Sequence, residues 1–288
     1  MSYLSVLQLE REPFSTSPDP DFFYRSAEHA QTLERLEIAI RLRRGLSVVL
    51  ADVGMGKTTL SRALLRAFQD EEEDFIFYMM LDPGFKLEEQ FLTHLIKLFG
   101  IPLAYYSPGT YRQAIEAYLF QKCVEEDKTV VLIVDEGQKL TSANLELLRT
   151  LLNYETNQYK LLQLVIFGQL ELLLRLQGIP NLMDRISVKC VLHPLDENQT
   201  QELIAFRLRQ ACPDLPGEKP RAVGGTGYIE GSALFSPEAI RKIYQHTQGY
   251  PRRITRICHL AMEYLIMEDQ RQVTKTLIDK IIAQEESW

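Results

Sequence analysis

Residues 48–65, VVLADVGMGKTTLSRALL, gather two glycines, a lysine and two threonines where an apolar run gives way to a helical pattern. That grouping suits a polyanion. Glycines let successive backbone N–H groups turn inward and let phosphate oxygens approach without a Cβ in the way. Val53, Gly54, Met55, Gly56, Lys57, Thr58 and Thr59 would form the cradle, with the helix N-terminus adding its positive end. Lys57 would reach the β- and γ-phosphates of a nucleotide, and the Thr58 hydroxyl would ligate Mg²⁺. The motif G-x-x-x-x-G-K-[ST] has one departure here, Ala51 at the first glycine, where strand becomes loop and a single methyl is tolerable. The plain alternative is a glycine turn with no ligand; the strand–loop–helix context favours the phosphate reading.

A second stretch supplies acids. TVVLIVDEGQKL runs an apolar strand directly into Asp135 and Glu136. Asp135 would hold the metal, largely through water, and Glu136 would polarise an attacking water as general base. Adjacent acids after a strand can also merely cap a loop. Downstream of a phosphate loop at this distance, that reading is less attractive, and Glu136 points to hydrolysis as well as binding.

Elements must hold these groups in place. LSVVL, FIFYMML, TVVLIV, LLQLVIF and SVKCVL read as strands, with helices between them through Leu60 and Leu64, Phe91 and Leu95, Ile115, Leu119 and Cys123, and NLELLRTLLNY. Apolar runs without polar alternation suit strands covered on both faces, hence a parallel sheet between helices. The acidic run DEEED reads as a solvated connection. From Glu197 onward only helices are expected, with Pro237 and Pro251 at the opening of two of them. The glycine- and proline-rich residues 213–232 read as a long loop.

Composition narrows the class. The 288 residues are 45% apolar and 25% charged with a net charge of −7, which argues against broad, sequence-blind adhesion to nucleic acid. Cys123, Cys190, Cys212 and Cys258 lie far apart, as expected of reduced thiols in a cytoplasmic protein. The N-terminus shows no signal-peptide pattern, and the most apolar runs are too short to span a bilayer.

These residues, with the helical tail, resemble the AAA+ ATPases, and more narrowly the general secretion pathway protein A group, related to pilus-biogenesis and transposition ATPases. EPFSTSPDPDFFYRSAEHAQTLERL, ADVGMGKTT, VLIVDEGQKL, LQLVIFGQLEL, DRISVKCVLHPL and LFSPEAIRKIYQHTQGYPRRITRICHLA carry the match in order along the chain. The resemblance implies an α/β, three-layer P-loop core with a parallel sheet over residues 31–194, and a small all-helical lid domain over 195–288. An N-terminal arm over 1–30 would pack near the nucleotide, where Phe14, Phe23 or Tyr24 would close the adenine pocket, unless these rings simply fasten the arm. Further roles follow from it. Gln169, after a strand lying between the two motif strands, would sense the γ-phosphate, although it could instead open the following helix. Arg185 would be an arginine finger acting in trans, against a plain reading as a surface arginine paired with Asp184. Arg252 would contact nucleotide in cis, with Arg253 as its neighbour.

The implied function is an ATPase using ATP and Mg²⁺, whose nucleotide-dependent oligomerisation, as ring or filament, drives or gates assembly of a secretion or pilus complex. Secretion-type relatives often continue into a membrane span and a periplasmic region, neither of which is expected here. Residues 213–232 could bind a partner, disorder without function being the plainer reading. The alternatives are a DNA-associated regulator resembling transposition ATPases, with RLRRG at 41–45 and PRRITR at 251–256 as candidate contacts, and a nucleotide switch with negligible turnover. The first basic stretch is expected on the exposed side of an amphipathic helix.

Overall fold

The computed structural model describes residues 4, 7, 9–15, 17, 19–102, 108–212 and 234–285. They form two compact units: Ala27–Val53 with Lys57–Leu192, and Met1–Ser26 with Gly54–Gly56 and His193–Trp288.

The first unit is a five-stranded sheet in the order β2-β3-β4-β1-β5. Its strands are β1 (Leu46–Ala51), β2 (Phe75–Met80), β3 (Thr129–Val134), β4 (Leu162–Gly168) and β5 (Ile186–Leu192), and every pairing is parallel. Every residue of the three inner strands is buried, whereas the edges β2 and β5 are partly open. Unbroken apolar runs are what such double coverage requires. Helices α1 (Ala27–Arg41), α2 (Lys57–Ala67), α3 (Glu88–Leu98), α4 (Tyr111–Phe120), α5 (Ser142–Leu151), α6 (Glu171–Gln177) and α7 (Pro180–Met183) belong to this unit. The apolar stripes of α3 to α7, including Phe91, Leu95, Ile115 and Leu148, join Leu132 and Ile166 of the sheet in one core. The α/β, three-layer P-loop architecture expected from the sequence is the one observed, and β4 lies between β1 and β3 as expected.

Several elements differ from expectation. The run through Cys123 is not continued α-helix but a π-helical turn, Gln121–Glu125, after α4. The stretch 41–45 is not an exposed helix side: α1 ends at Arg41 and the chain turns, with Arg43 at φ 50°. Two of its arginines, Arg41 and Arg43, are engaged by residues distant in the chain. Arg41 forms a two-pronged pair with Glu71 from the acidic run and lies 4.6 Å over the Phe68 ring. Arg43 binds Asp127 and Thr129 and stacks at 4.4 Å on Tyr159.

The second unit is built on α8 (Glu197–Ala211), α9 (Pro237–Thr247), α10 (Pro251–Met267) and α11 (Lys275–Glu285). Asp196 and Gln199 form a reciprocal capping box at the start of α8. Pro237 and Pro251 open their helices, where a missing N–H costs nothing. Among the described residues of this unit, one short parallel bridge, Phe235 to Val273, stands apart from the helices. The arm is fastened within this unit. Phe14 is fully buried and meets Phe235 edge-on at 5.9 Å, and Arg207 donates to the Pro13 and Ser15 carbonyls. The Tyr24 hydroxyl donates to Glu202, and its ring tilts against Phe206 at 6.1 Å. These contacts fit the fastening reading of Phe14 and Tyr24. Residues 213–232 lie outside the described residues.

Candidate nucleotide site

In the α/β unit, three loops leave the C-terminal ends of adjacent strands. β1 has β4 on one side and β5 on the other, so its end is where the strand order reverses, the usual location of a ligand crevice in an open parallel sheet. α2 begins at Lys57, directly after the glycine turn. The Lys57 side chain is buried and folds back, its ammonium donating to the Ala51 and Asp52 carbonyls at 2.8 Å each. Burial lowers its pKa below the usual lysine value, while the carboxylates of Glu136, Asp135 and Asp52 oppose that shift.

The Thr58 hydroxyl donates to Asp135 Oδ2 at 2.7 Å. Asp135 is buried, and its other oxygen accepts the Glu136 N–H at 2.9 Å. Glu136 sits in the left-handed region at φ 53°, an uncommon conformation for a residue with a side chain. Its Oε2 accepts from Gln138 Nε2 at 2.5 Å. Gln138 Oε1 in turn accepts the Gln169 N–H at 3.1 Å. Gln169 follows β4 and is half-buried, and no capping bond from a side chain opens α6. Thus Lys57, Thr58, Asp135, Glu136 and Gln169 emerge from the ends of β1, β3 and β4.

Arg185 stands half-buried between α7 and β5, outside that group. Its charge helps to hold the Glu155 carboxyl below the usual range, behind the larger effect of the Lys160 hydrogen bond. Among the described residues it forms no ion pair with Asp184, contrary to the plain alternative.

In the helical unit, Gly54 and Gly56 take φ of +82° and +87°. The Gly54 carbonyl accepts the Arg252 N–H at 3.1 Å, and a Cβ on Gly54 would lie 2.8 Å from the Arg252 Cβ. Glycine is therefore required there twice over, by conformation and by space. Met55 is buried and Val53 exposed. Arg253 lies 4.7 Å over the Tyr250 ring, and Arg256 pairs with Glu285 at 2.8 Å.

The sequence reading missed Gln138 and Arg175. Arg175 donates to the Gln138 and Leu140 carbonyls and so ties α6 to the turn after β3. A polar residue two places beyond Glu136 was a usable signal for Gln138. Arg175 offered none, because its partners are backbone atoms distant in sequence. A hydroxyl and a carboxylate in contact form a hard oxygen pair suited to Mg²⁺ that keeps water and phosphate oxygens in its shell. Among the described residues no helix is long and apolar enough to cross a membrane.

Comparison with known proteins agrees with this geometry. A family model described as an AAA domain matches residues 40–176. On the fold and this match the chain resembles the AAA+ ATPases. It is similar to general secretion pathway protein A of Aeromonas hydrophila, at 32% identity over 265 residues. That match covers 90% of this chain but only 44% of the relative. Solved structures share the fold. The Aeropyrum pernix ORC2 protein, in ADPNP-ADP complexes, gives a TM-score of 0.67 at 16% identity, covering 96% of this chain and 72% of that one. The Aeropyrum pernix ORC1 protein in complex with DNA gives 0.63 at 16% identity, covering 95% and 69%. A Thermotoga maritima RuvB mutant gives 0.54 at 15% identity, covering 90% and 72%.

Proposed function

We propose that the chain binds and hydrolyses Mg-ATP. The observation that carries this reading is the contact between Thr58 and Asp135 beside the inward-folded Lys57. In it, the glycine turn and Lys57 bind the triphosphate, and the ammonium exchanges its two carbonyl partners for phosphate oxygens. Thr58 and Asp135 hold Mg²⁺, which when bound offsets charge on the phosphates. Glu136 takes a proton from water as the water oxygen bonds to the γ-phosphorus and the bond to the ADP oxygen breaks. Gln169 faces the γ-phosphate, Arg252 contacts the nucleotide in cis, and Arg185 of a neighbouring copy stabilises the transferring phosphoryl group in trans. The ADPNP-ADP complexes of the ORC2 protein favour adenine nucleotide as the ligand.

Nucleotide-dependent oligomerisation would then drive or gate assembly of a partner complex of the secretion or pilus type, in the cytoplasm; this rests on similarity to general secretion pathway protein A. The DNA-associated reading has the ORC1–DNA complex in its favour at fold level alone. Against it, Arg41, Arg43 and Arg256 are already paired with this chain's own acids. Phosphate release by the wild-type chain and Glu136→Gln, each with nucleotide titrations, tests the catalytic reading. Retained binding with lost turnover is expected, and undiminished release by the variant removes Glu136 as the base. Mass in solution with and without a slowly hydrolysed ATP analogue tests the assembly step, and a salt-sensitive duplex shift tests DNA.

A further inference from the structure

The turn after β3 is built more rigidly than two metal- and water-directed acids require. Its first bend places Glu136 in the left-handed region, and its next residue, Gly137, is pressed against β4: a Cβ there would lie 2.4 Å from Ile166 Cγ2 and 3.1 Å from the Phe167 carbonyl. The backbone after it is held by Arg175 through the Gln138 and Leu140 carbonyls. Into this fixed frame the largely buried Gln138 side chain extends both ends of its amide. The donor end meets the Glu136 carboxylate and the acceptor end meets the Gln169 N–H. The two polar contacts fix the amide's orientation, because a flipped amide would set its oxygen against the carboxylate and its NH₂ against an N–H.

We propose that Gln138 is a positioning residue that orients the Glu136 carboxylate and joins it to the Gln169 turn, so that base and γ-phosphate-facing turn are set as one unit. This rests on Glu136 being the base. A carboxylate on a free side chain samples several rotamers, whereas one held by a buried amide spends its time in a single direction. Displacement of a catalytic group by about an ångström costs on the order of 100-fold in rate. Gln138 does not itself touch the reacting atoms in this scheme. Its loss therefore lowers kcat and leaves nucleotide affinity largely intact.

Two measurements test it. In ¹⁵N–¹H spectra of the nucleotide-free chain, the Gln138 side-chain NH₂ protons should exchange slowly with solvent and become fast-exchanging in Glu136→Ala. The Gln169 backbone N–H should lose protection in Gln138→Met, which keeps the side chain's length without its polar ends. In steady-state assays, Gln138→Met should lower kcat about 10- to 100-fold with KM within about threefold of wild type. Free exchange of the Gln138 amide in the wild-type chain, or exchange indifferent to Glu136→Ala, overturns the bridge without any need for turnover or for a folded Gln138 variant. Undiminished kcat in Gln138→Met, with Glu136→Gln inactive, overturns the positioning role and leaves the base assignment standing. Turnover surviving in Glu136→Gln removes the base itself, and the proposal falls with it.

Discussion

Both units bury hydroxyls and other polar groups, but the buried threonines of the helical unit and the polar groups at the strand ends of the α/β unit are satisfied in opposite ways. In the helical unit Thr200, Thr247 and Thr255 each donate to a carbonyl four residues back, Asp196, Ile243 and Pro251. These bonds are local, formed as soon as the helix forms, and they carry no information about another element. In the α/β unit Thr58 reaches Asp135, and Gln138 reaches Gln169, from one strand end to the next. Polar groups brought together from distant sequence are costly to bury unless each finds its partner. Where they are kept at the mouth of a parallel sheet, chemistry is the economical explanation.

The largest effect should fall on the cross-element set. Replacing Glu136 with Gln keeps its size and its ability to accept from Gln138 while removing its basicity. Phosphate release should fall about 10²- to 10⁴-fold, the range for loss of a general base, with binding of an ATP analogue unchanged in calorimetry.

The next effect tests whether the helical unit contains only local structure. Gly249, at φ +76°, lies so close to Leu195 that a Cβ would sit 1.8 Å from the Leu195 carbonyl oxygen, and the Leu195 N–H donates back to the Gly249 carbonyl at 2.9 Å. Gly249→Ala should therefore destabilise by about 2–4 kcal/mol in urea unfolding followed by circular dichroism. A loss below about 0.5 kcal/mol would mean that this approach of two backbones is not rigid.

Much of this was legible in the sequence. The inner strands announced themselves as unbroken apolar runs, and Lys57, Thr58 and the acid pair by residue type at a known spacing. Helix openings at Pro237 and Pro251 followed from proline's fixed φ and missing N–H. What escaped was non-local. Gln138 acquires its meaning from a backbone N–H thirty-one residues away, and Arg175 from two carbonyls. The stretch 41–45 looked like an exposed basic helix face because its partners, Glu71, Asp127 and Tyr159, are distant in the chain. Local pattern shows which residues are polar, not which of them are already spoken for.

A subtler effect separates function from stability at one residue. Burial depresses the Lys57 pKa, so at neutral pH the folded state holds a proton at a cost that the unfolded chain does not bear. Stability from this group accordingly rises with pH between the lowered pKa and the ordinary lysine value, where the unfolded chain binds more protons. Lys57→Met should raise the nucleotide-free melting temperature by about 2–4 °C, equivalent to roughly 1 kcal/mol for a domain of this size, and should lack that alkaline rise. The same variant should show no melting-temperature gain from Mg-ATP. A lower nucleotide-free melting temperature would mean that the two carbonyl bonds outweigh the burial.

The smallest effect applies one substitution to both units. Threonine and valine share a shape, so Thr→Val removes a hydroxyl and little else. At Thr255 the hydroxyl serves only the Pro251 carbonyl, which lies in the first turn of α10 and retains its helical N–H partner there. Back-bonding of this kind is close to neutral in helices. Thr255→Val should thus change unfolding free energy by less than about 1 kcal/mol and leave Mg-ATP affinity and turnover unaltered. At Thr58 the same change deletes one of the two partners of a buried carboxylate, Asp135, and should abolish the magnesium dependence of nucleotide binding. If the two variants behaved alike in a magnesium titration, the distinction between local and cross-element polar groups would not track function in this chain.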